Sequence, residues 1–450
     1  MNPLNALSPL DGRYAKNTEA LAAYFSESAL MRYRTQVEIE WLLAMPGASF
    51  NPAETQALRA IYIQFTDEDA RAIKAFERET NHDVKAVEYF LRERAPHVKA
   101  ALWHFGCTSE DINNLAYALM IQAALKQLMI PQLQQLIHQL DKKAQAYRAI
   151  PMLSRTHGQA ASPTTLGKEF ANFVYRLKRQ LTGLQNQTIL GKFHGAVGNF
   201  NAHIIAKPEI NWPEVAQKFV ESLGLCFNPM VTQIEPHDYI AEISHTFARI
   251  NTILIGFARD LWTYISLDYF KLNVVQTEVG SSTMPHKVNP IDFENAEGNL
   301  GLANALWIHF AEKLPISRLQ RDLSDSTVMR NIGSAFAYSS LAYRALEKGI
   351  GKINPHLPAL EKDLNERYEV LTEAIQMVLR DHGIDDAYEQ LKAASRGKAF
   401  DHEAYHQFVT GLTLPVEVKQ RLLELTPASY IGTAARAAPS NVILANGDPV

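Results

Sequence analysis

Hydrophobic residues recur along much of this chain at the alternating spacings of three and four that indicate amphipathic helices. The longest stripe lies between Glu235 and Asp268 and predicts a helix of about nine turns, well above the average helix length. Its apolar positions are Ile240, Ile243, Phe247, Ile250, Leu254, Phe257, Leu261 and Ile265. Aromatic residues in and beside this stripe favour a bundle of several helices over a two-stranded coiled coil.

A second long stripe runs from Ile112 to about Arg148 and contains Pro131, which we expect to kink the helix rather than end it. Further helical patterns cover Leu166 to Leu190, Asp292 to Lys313 and Ser326 to Lys348. Strand-like alternation is hard to find. The pattern therefore predicts an all-α fold in which long helices bury their stripes against other helices, some of them from other subunits.

Glycine and proline residues indicate where domains end. Shorter helical patterns predict an N-terminal domain over residues 1–106, and the long stripes a central bundle over residues 107–350. Gly351, Pro355 and Pro358 then interrupt the helical pattern and predict a smaller C-terminal helical domain over residues 351–450.

Composition narrows the class of protein. Hydrophobic residues make up 47% of the chain and charged residues 20%, which is typical of a globular protein. The formal net charge of −4 provides no basic field for a nucleic acid. The N-terminus has no features of a signal peptide, and no apolar run reaches the roughly 18 residues that a membrane span needs. We therefore expect a cytoplasmic protein with no membrane or nucleic-acid partner.

Common cofactor motifs are missing from the sequence. It contains no GxxxxGK[ST] loop, no GxGxxG and no HExxH, and its two cysteines, Cys107 and Cys226, cannot form a cysteine-based zinc site. The fifteen histidines are scattered. We therefore expect no cofactor and no metal, so that any reaction must use side-chain acids and bases.

The segment Gly280–Pro290, GSSTMPHKVNP, combines hydroxyls, a cation and helix-breaking residues. Pro285 and Pro290 prevent a helix until Ile291, so that a helix N-terminus with its positive dipole end would follow the segment. Such a site suits an anionic ligand. Composition alone favours an ordinary connector rich in serine and proline.

GSSTMPHKVNP resembles the loop shared by the superfamily of fumarase, aspartase, argininosuccinate lyase and adenylosuccinate lyase. The resemblance implies a three-domain all-helical subunit and a homotetramer with a 20-helix core and shared active sites. It also implies elimination of fumarate from a small-molecule substrate.

Other segments are similar to the adenylosuccinate lyase family in particular. Gly158 follows the histidine of SRTHGQAASPTTLGKE, where fumarases and argininosuccinate lyases have leucine; Ala160 departs from the proline of many members. The similarity extends over nearly the whole chain and includes Leu10–Tyr14, Thr80–Phe90, Phe105–Asn114, Ser154–Glu169 and Arg321–Asn331. Membership would imply two substrates, adenylosuccinate and the succinylated imidazole carboxamide ribotide SAICAR.

The resemblance implies that Ser281 is the general base. An alcohol is a weak base, and its alkoxide would need about 8 kcal/mol of stabilisation to form near neutral pH. Lys287 and backbone amides at the following helix could share that work in a site from which water is excluded by closure of the loop. A histidine base, with Ser281 only positioning it, is the alternative.

Two histidines are candidates for acid catalysis. His157 lies in a polar stretch, and an imidazole can protonate a leaving nitrogen near neutral pH, although a capping or structural role is the alternative. His82 matches a family position that orients substrate and partners the acid, with an N-cap or surface role as its alternative. We expect His237 and His245 to be structural.

The remaining motif residues are implied to bind substrate. Arginine forks suit phosphate, so the resemblance assigns the nucleotide to Arg13, Tyr14, Arg321, Ser326 and Arg330. It assigns the succinyl carboxylates and nearby polar groups to Thr108, Ser109, Gln233, Ser282, Lys287 and Asn295. Further expected contacts from the same motifs are Asn81, His82, Asp83, Thr327, Val328 and Met329.

Two rival functions remain open at this stage. Another lyase of the superfamily is the nearest, and Gly158–Gln159 and the NHD segment (Asn81–Asp83) weigh against it. A non-catalytic structural protein on the same fold is the other. Ser281, His157 and Lys287 argue against that possibility, because a scaffold needs none of them.

Overall fold

A computed structural model describes residues 3–273, 284, 286–397 and 400–436 of the chain. Helices make up 66% of it, which confirms the all-α prediction. The helices in chain order are α1 (Ala15–Phe25), α2 (Glu27–Ala44), α3 (Pro52–Ile63), α4 (Asp67–Thr80), α5 (Asp83–Arg94), α6 (Ser109–Ala124), α7 (Ile130–Ala146), α8 (Leu166–Gln185), α9 (Asn201–Ala206), α10 (Trp212–Ser222), α11 (Asp238–Ser266), α12 (Ile291–Lys313), α13 (Ser324–Met329), α14 (Ile332–Lys352), α15 (Leu357–Asn365), α16 (Thr372–Asp381), α17 (Ala387–Ser395), α18 (His402–Gly411) and α19 (Val416–Leu423).

The strands are short and occur in pairs. They are β1 (Pro151–Thr156), β2 (Gln159–Thr165), β3 (Leu190–Gly191), β4 (Cys226–Phe227), β5 (Phe270–Leu272) and β6 (Ile353–Pro355). β1 and β2 form an antiparallel hairpin, β3 is parallel to β4, and β5 is antiparallel to β6. The sequence pattern did not reveal this hairpin, because its strands are largely polar and only partly buried.

The long stripe forms α11, as predicted. Its positions from Ile240 to Leu261 are buried, and only Ile265 at its end is half-exposed. The ring of Phe247 stacks on Trp307 of α12 with 4.7 Å between centroids. It also meets Phe336 of α14 edge-on, with 5.4 Å between centroids. Packing against two further helices confirms a bundle of several helices at that point.

The predicted passage of the helix through Pro131 is also confirmed, and a π-helical turn accomplishes it. Residues Leu125–Met129 adopt this wider turn between α6 and α7, and the amide of Ile130 donates to the carbonyl of Leu125. Proline lacks an amide donor and clashes with the carbonyl four residues earlier, and a wider turn relieves both problems.

The helix predicted over Ser326–Lys348 is wrong in one respect. The chain forms α13 and α14 separately, with a break at Arg330–Asn331. The asparagine of this break donates from its Nδ2 to the carbonyl of Thr327, 3.3 Å away. The break contains Arg330, which is one of the predicted nucleotide contacts.

Contacts within the chain define two compact units. Unit 1 comprises Met1–Leu133, Gln180–Thr252 and Gly298–Tyr343, and unit 2 comprises Gln134–Arg179, Ile253–Glu297 and Arg344–Val450. In unit 1, Trp41 packs against Phe193, Trp212 and Phe219. In unit 2, Leu153 of β1 joins a core formed by residues of the C-terminal helices.

A membrane-spanning helix is not found in the described part of the chain, where no helix is both long enough and apolar enough for one.

Candidate active site

His157 lies at the tip of the β1–β2 hairpin. Thr156 pairs with Gln159, so His157 and Gly158 alone form the turn. Both have positive φ, 54° and 76°, which is typical of a two-residue type I′ turn. Glycine adopts this conformation without steric cost, whereas a residue such as histidine does so uncommonly. The turn thus holds an exposed imidazole at the end of a hydrogen-bonded ribbon.

Two carboxylates of unit 2 hold the hairpin in place. Arg155 donates to Asp363 at 2.5 Å, and the hydroxyl of Tyr269 donates to the same carboxylate. Burial and this hydrogen bond raise the pKa of Tyr269 to about 12, so that it remains a donor at neutral pH. On β2, the hydroxyl of Ser162 donates to Glu373.

Asp363→Asn is expected to lower the turnover of the enzyme about tenfold. The substitution would let the hairpin that carries His157 shift, and a small displacement of a catalytic group can reduce the rate substantially. The substitution removes the charge that pairs with Arg155, next to the His157 turn. KM should change less than turnover, since this carboxylate holds the hairpin and is not one of the predicted nucleotide contacts. Steady-state kinetics compared with Asp381→Asn, the same change at an exposed position of unit 2, would check this. Equal turnover in the two variants would contradict it.

The TNHD segment connects α4 to α5 in unit 1. Asn81 ends α4 with a left-handed φ of 48°, and His82 is the N-cap of α5. The Nδ1 of His82 accepts a hydrogen bond from the amide of Lys85 at 3.2 Å. His82 therefore has the N-cap role that was one of the two alternatives predicted from the sequence. In a neutral imidazole the proton then lies on Nε2, and the exposed ring still has a donor for a ligand.

Asp83 connects two predicted substrate-binding segments. Its Oδ2 accepts from Arg330 at 3.1 Å and from Arg34 at 2.8 Å. Burial acts to raise the pKa of Asp83, but the guanidinium of Arg34 and then that of Arg330 hold it below its usual value. Arg34 is only 4% exposed and also donates to Asn113 at 2.8 Å. The structure thus brings Asp83 and Arg330 together around a buried arginine.

Thr108 and Ser109 lie at the N-terminus of α6, where the partial positive charge of the helix favours an anion. The carboxylate of Asp111 fixes this end by accepting from the amide of Thr108 at 2.9 Å and that of Gly195 at 3.1 Å. The buried Lys192 ammonium is 2.7 Å from the same carboxylate. Both candidate residues remain partly exposed at a rigid helix start.

Gln233 and Arg321 lie in loops of unit 1. The side chain of Gln233 donates to the carbonyl of Ala196 at 2.8 Å, and its backbone amide donates to the carbonyl of Gln320 at 3.3 Å. Arg321 donates to Glu110 at 3.0 Å. Gln233 therefore lies next to the segment that begins at Arg321.

The segment from Ser326 to Arg330 contains the other expected contacts. Thr327 and Arg330 are exposed, and Ser326 and Val328 are half-buried. Met329 is 3% exposed and packs into the core. A ligand would therefore reach Met329 through its backbone rather than its side chain.

Arg13 and Tyr14 precede α1, with the guanidinium of Arg13 6.0 Å from the centre of the Tyr14 ring. Their chain neighbours Asp11 and Ala15 line a surface cavity of about 500 Å³, which Arg13 and Tyr14 themselves do not line. Each predicted nucleotide-contacting segment contributes to the lining, the first through Leu10 and Asp11 and the second through Arg330 and Asn331. The two ends of the proposed nucleotide site thus border one cavity of unit 1.

Ser281 and Ser282 lie outside the described residues. Lys287 is described and exposed, and its amide donates to the carbonyl of Met284 at 3.0 Å. Helix α12 begins at Ile291, where a helix was predicted to start, and contains the exposed Asn295 in its first turns.

Sequence reasoning missed four buried residues that support these positions: Arg34, Glu110, Glu235 and Asp325. A charged residue on an otherwise apolar helix face could have indicated them. Arg34 and Glu38, one turn apart on α2, are an example. Charges are almost never buried unless paired, so each implies a partner.

One cluster of described residues has the geometry to hold a cation. Glu110, His237 and Asp325 are all buried, and their ligand atoms lie within 4.8 Å of one another. The guanidinium of Arg321 already lies 3.0 Å from Glu110 and 4.0 Å from Asp325. We had expected only a structural role for His237.

Two sequence families match the chain. Residues 12–304 match the family described as "Lyase", and residues 317–431 match the family described as "Adenylosuccinate lyase C-terminal". With its helical fold, the chain is therefore a lyase. It is 53% identical to the adenylosuccinate lyase of Haemophilus influenzae and 52% identical to that of Escherichia coli K12, in each case over 96% of this chain and 98% of the relative. The chain belongs to the adenylosuccinate lyase family.

Solved structures of other enzymes have the same fold. The 3-carboxy-cis,cis-muconate lactonizing enzyme of Pseudomonas putida matches 93% of this chain with a TM-score of 0.76, at 23% identity and over 95% of its own length. A fumarate lyase from Mesorhizobium sp. BNC1 matches 93% of this chain with the same TM-score, at 19% identity and over 96% of its own length. At these identities the likeness establishes the fold alone.

Proposed function

We propose that this chain eliminates fumarate from adenylosuccinate, giving AMP, and from SAICAR, giving the amino-imidazole ribotide AICAR. The observation that carries the proposal is an identity of more than half with adenylosuccinate lyases over 96% of the chain. The reaction breaks a carbon–nitrogen bond and needs a base, an acid and cations for developing charge, all of which side chains can supply.

The proton balance assigns the two catalytic roles. Ionised Ser281 removes a proton from the carbon beside one carboxylate of the succinyl group, which puts a second negative charge on that carboxylate. The released electron pair forms the double bond of fumarate as the carbon–nitrogen bond breaks. His157 gives its proton to the departing nitrogen, and exchange with water restores both groups for the next cycle.

His157 is suited to the acid role by its position. Its turn is two residues long and hydrogen bonds hold both strands, so the backbone that carries the imidazole has a defined position on the hairpin. Such preorganisation makes proton transfer efficient, because little rearrangement is needed in the transition state. Lys287 supplies positive charge for the doubly charged carboxylate, together with the N-terminal dipole of α12.

Unit 1 supplies candidate contacts for the nucleotide. Arg13 and Tyr14 lie in the chain between Asp11 and Ala15, which line the same cavity as Arg330, and Arg321 and Ser326 belong to the same chain segment as Arg330. Guanidinium groups bind phosphate oxygens with two parallel hydrogen bonds. Thr108, Ser109 and Gln233 provide polar groups for the succinyl carboxylates.

The proposed assembly is a cytoplasmic homotetramer with a 20-helix core, in which three chains contribute to each site. The three predicted domains, residues 1–106, 107–350 and 351–450, would form each subunit. Large apolar residues exposed on long helices, such as Trp262 on α11 and Leu302 on α12, support burial against further helices. Closed symmetry accommodates such self-complementary faces.

Fumarate release tests the function. Purified protein should produce fumarate from adenylosuccinate and SAICAR, and none above background from argininosuccinate, because the site is proposed to recognise a purine or imidazole ribotide. Production from argininosuccinate alone would favour the other lyase. A well-folded tetramer that releases fumarate from none of the three would favour the structural protein.

A further inference from the structure

A buried histidine lies among three carboxylates in unit 1. We call Glu110, Glu235, His237, Arg321 and Asp325 the His237 cluster. The Nε2 of His237 is 3.5 Å from Asp325 and its Nδ1 is 3.6 Å from Glu235. The ring is 4% exposed, and neither nitrogen has a hydrogen-bond partner of good geometry among the residues that the structure describes. An imidazole in such surroundings interacts mainly through its charge.

The charges of the cluster balance best with a protonated imidazole. Its three carboxylates face one permanent cation, Arg321, which lies 3.0 Å from Glu110 and 4.0 Å from Asp325. Burial lowers the pKa of His237. The interactions with Asp325, Glu110 and Glu235 outweigh this effect of burial and raise the pKa overall. Unpaired buried charges are costly, so the imidazolium offsets one of the two remaining negative charges.

Backbone amides and a side-chain amide also donate hydrogen bonds to the carboxylates of the cluster. Glu235 accepts from the amide of His237 at 2.7 Å and from the side chain of Asn228 at 2.8 Å. Asp325 accepts from the amide of Ser326 at 2.7 Å. Burial raises the pKa of both Glu110 and Glu235; among charged groups outside the cluster, Lys192 opposes this rise at Glu110 and Asp238 adds to it at Glu235.

The cluster joins three segments that carry proposed substrate contacts. Glu110 follows Thr108 and Ser109 at the start of α6. Glu235 and His237 belong to the loop of Gln233, and His237 holds a strained, left-handed φ of 64° there. Asp325 lies on α13 beside Ser326, four residues after Arg321. Strained residues persist where the surrounding contacts over-determine them, frequently at functional sites.

We infer that His237, as an imidazolium, is a positioning residue for substrate binding: it holds Asp325 and Glu235 together and leaves Arg321 aimed at the ligand. This inference rests on the proposed function. Among the described residues, loss of the imidazolium would leave Arg321 as the one cation of the cluster beside its three carboxylates and draw its guanidinium towards them. Substrate affinity should therefore decrease, while the chemical step, which uses other residues, should change little.

The kinetic test is His237→Gln. We expect KM for adenylosuccinate to increase roughly 10- to 100-fold while kcat falls less than about threefold. The matched control is His245→Gln, the same change at an exposed position two turns along α11, which should leave both constants unchanged. An unchanged KM in a correctly assembled His237→Gln tetramer would overturn the positioning role.

A double-mutant cycle keeps the idea testable if the single variant folds poorly. Asp325→Asn removes one charge of the pair, and Asp325→Asn with His237→Gln removes both. If the two residues act as an ion pair, the effects on KM should be far from multiplicative, with the double variant closer to the weaker single variant. Multiplicative effects would show that no such pair acts on binding.

Stability against pH gives a readout that needs no substrate. Since the folded-state pKa of His237 is raised, its contribution is complete below the unfolded value of about 6.5 and is lost as pH rises through the folded-state pKa. The Tm of the wild type should therefore exceed that of His237→Gln most at acidic pH, and the difference should shrink as pH rises. A difference independent of pH would overturn the imidazolium.

The two proposals can fail separately. Absence of fumarate release by the wild type would overturn the proposed function, whereas the Tm comparison would still decide the charge of His237. Metal analysis supplies the remaining outcome. About one bound transition-metal ion per chain, lost in His237→Gln, would make this residue a ligand and overturn its role as an imidazolium.

Discussion

Ser281→Ala is expected to reduce turnover by about 10³-fold or more while adenylosuccinate still binds, because a positioned base contributes on that scale. The hydroxyl is the proposed acceptor of the substrate proton, and alanine cannot replace it. The measurement is single-turnover fumarate formation, combined with equilibrium binding of adenylosuccinate to the variant. Retention of more than about a tenth of wild-type turnover would eliminate Ser281 as the base and favour a histidine.

The neighbouring hydroxyl offers a matched comparison for that variant. Ser282→Ala removes the same group one residue away, and we expect KM to increase more than turnover falls, because its proposed role is to bind a carboxylate. Lys287→Ala should impair both, since the ammonium serves the ground-state carboxylate and the developing charge together. Equal losses of turnover in the two serine variants would contradict a unique role for Ser281.

His157→Ala is expected to lose about 10²- to 10⁴-fold in turnover, the range for removal of a general acid. The loss should be smaller for a substrate whose leaving nitrogen is less basic, because that nitrogen needs less protonation as the bond breaks. The measurement is kcat for substrates of graded leaving-group basicity with both enzymes. A loss that does not depend on that basicity would contradict proton donation by His157.

His82→Ala provides a comparison for His157→Ala, because it removes the other candidate histidine. His82 caps α5 through Nδ1, so its substitution should lower stability by about 1 kcal/mol, as loss of an N-cap usually does. His82→Ala should reduce turnover less than His157→Ala does, and it should increase KM more. If both alanine variants kept wild-type turnover, the acid would have to be another residue.

Periodicity predicted the elements whose burial is simple. The stripe of α11 is apolar on one face for many turns, so its burial against other helices needed no knowledge of partners. Pro131 was expected to leave the helix continuous, but the π turn that achieves this depends on hydrogen bonding that the sequence does not display. The break at Arg330–Asn331 was not predicted for the same reason, because both segments that it separates have a helical pattern.

The hairpin of His157 was missed because its strands do not alternate between apolar and polar residues. Its only local signal was glycine after histidine, since a two-residue turn with both φ positive favours glycine at its second position. Motif resemblance made His157 a candidate catalytic residue, and the structure shows how the hairpin that carries it is held through Arg155.

Buried charges were the hardest part of the site to foresee. Arg34 and Asp83 are 49 positions apart in sequence, and nothing local indicates that they pair or that Arg330 joins them. His237 was interpreted as structural because a histidine near a long apolar stripe usually is. Two of its carboxylate neighbours, Glu110 and Asp325, come from other segments, which only tertiary structure brings together with it.

The most direct test of the central claim, that Ser281 and His157 act together in sites shared between chains, is a mixing experiment. Ser281→Ala and His157→Ala tetramers, each nearly inactive, would be mixed in equal amounts, dissociated and reassembled, with mass measurement to confirm mixed tetramers. If the two residues of a site come from different chains, random assembly should restore roughly a quarter of the sites. Fumarate release at about a quarter of the wild-type rate is therefore expected. No recovery in confirmed mixed tetramers would mean that one chain supplies both residues and would contradict the shared site.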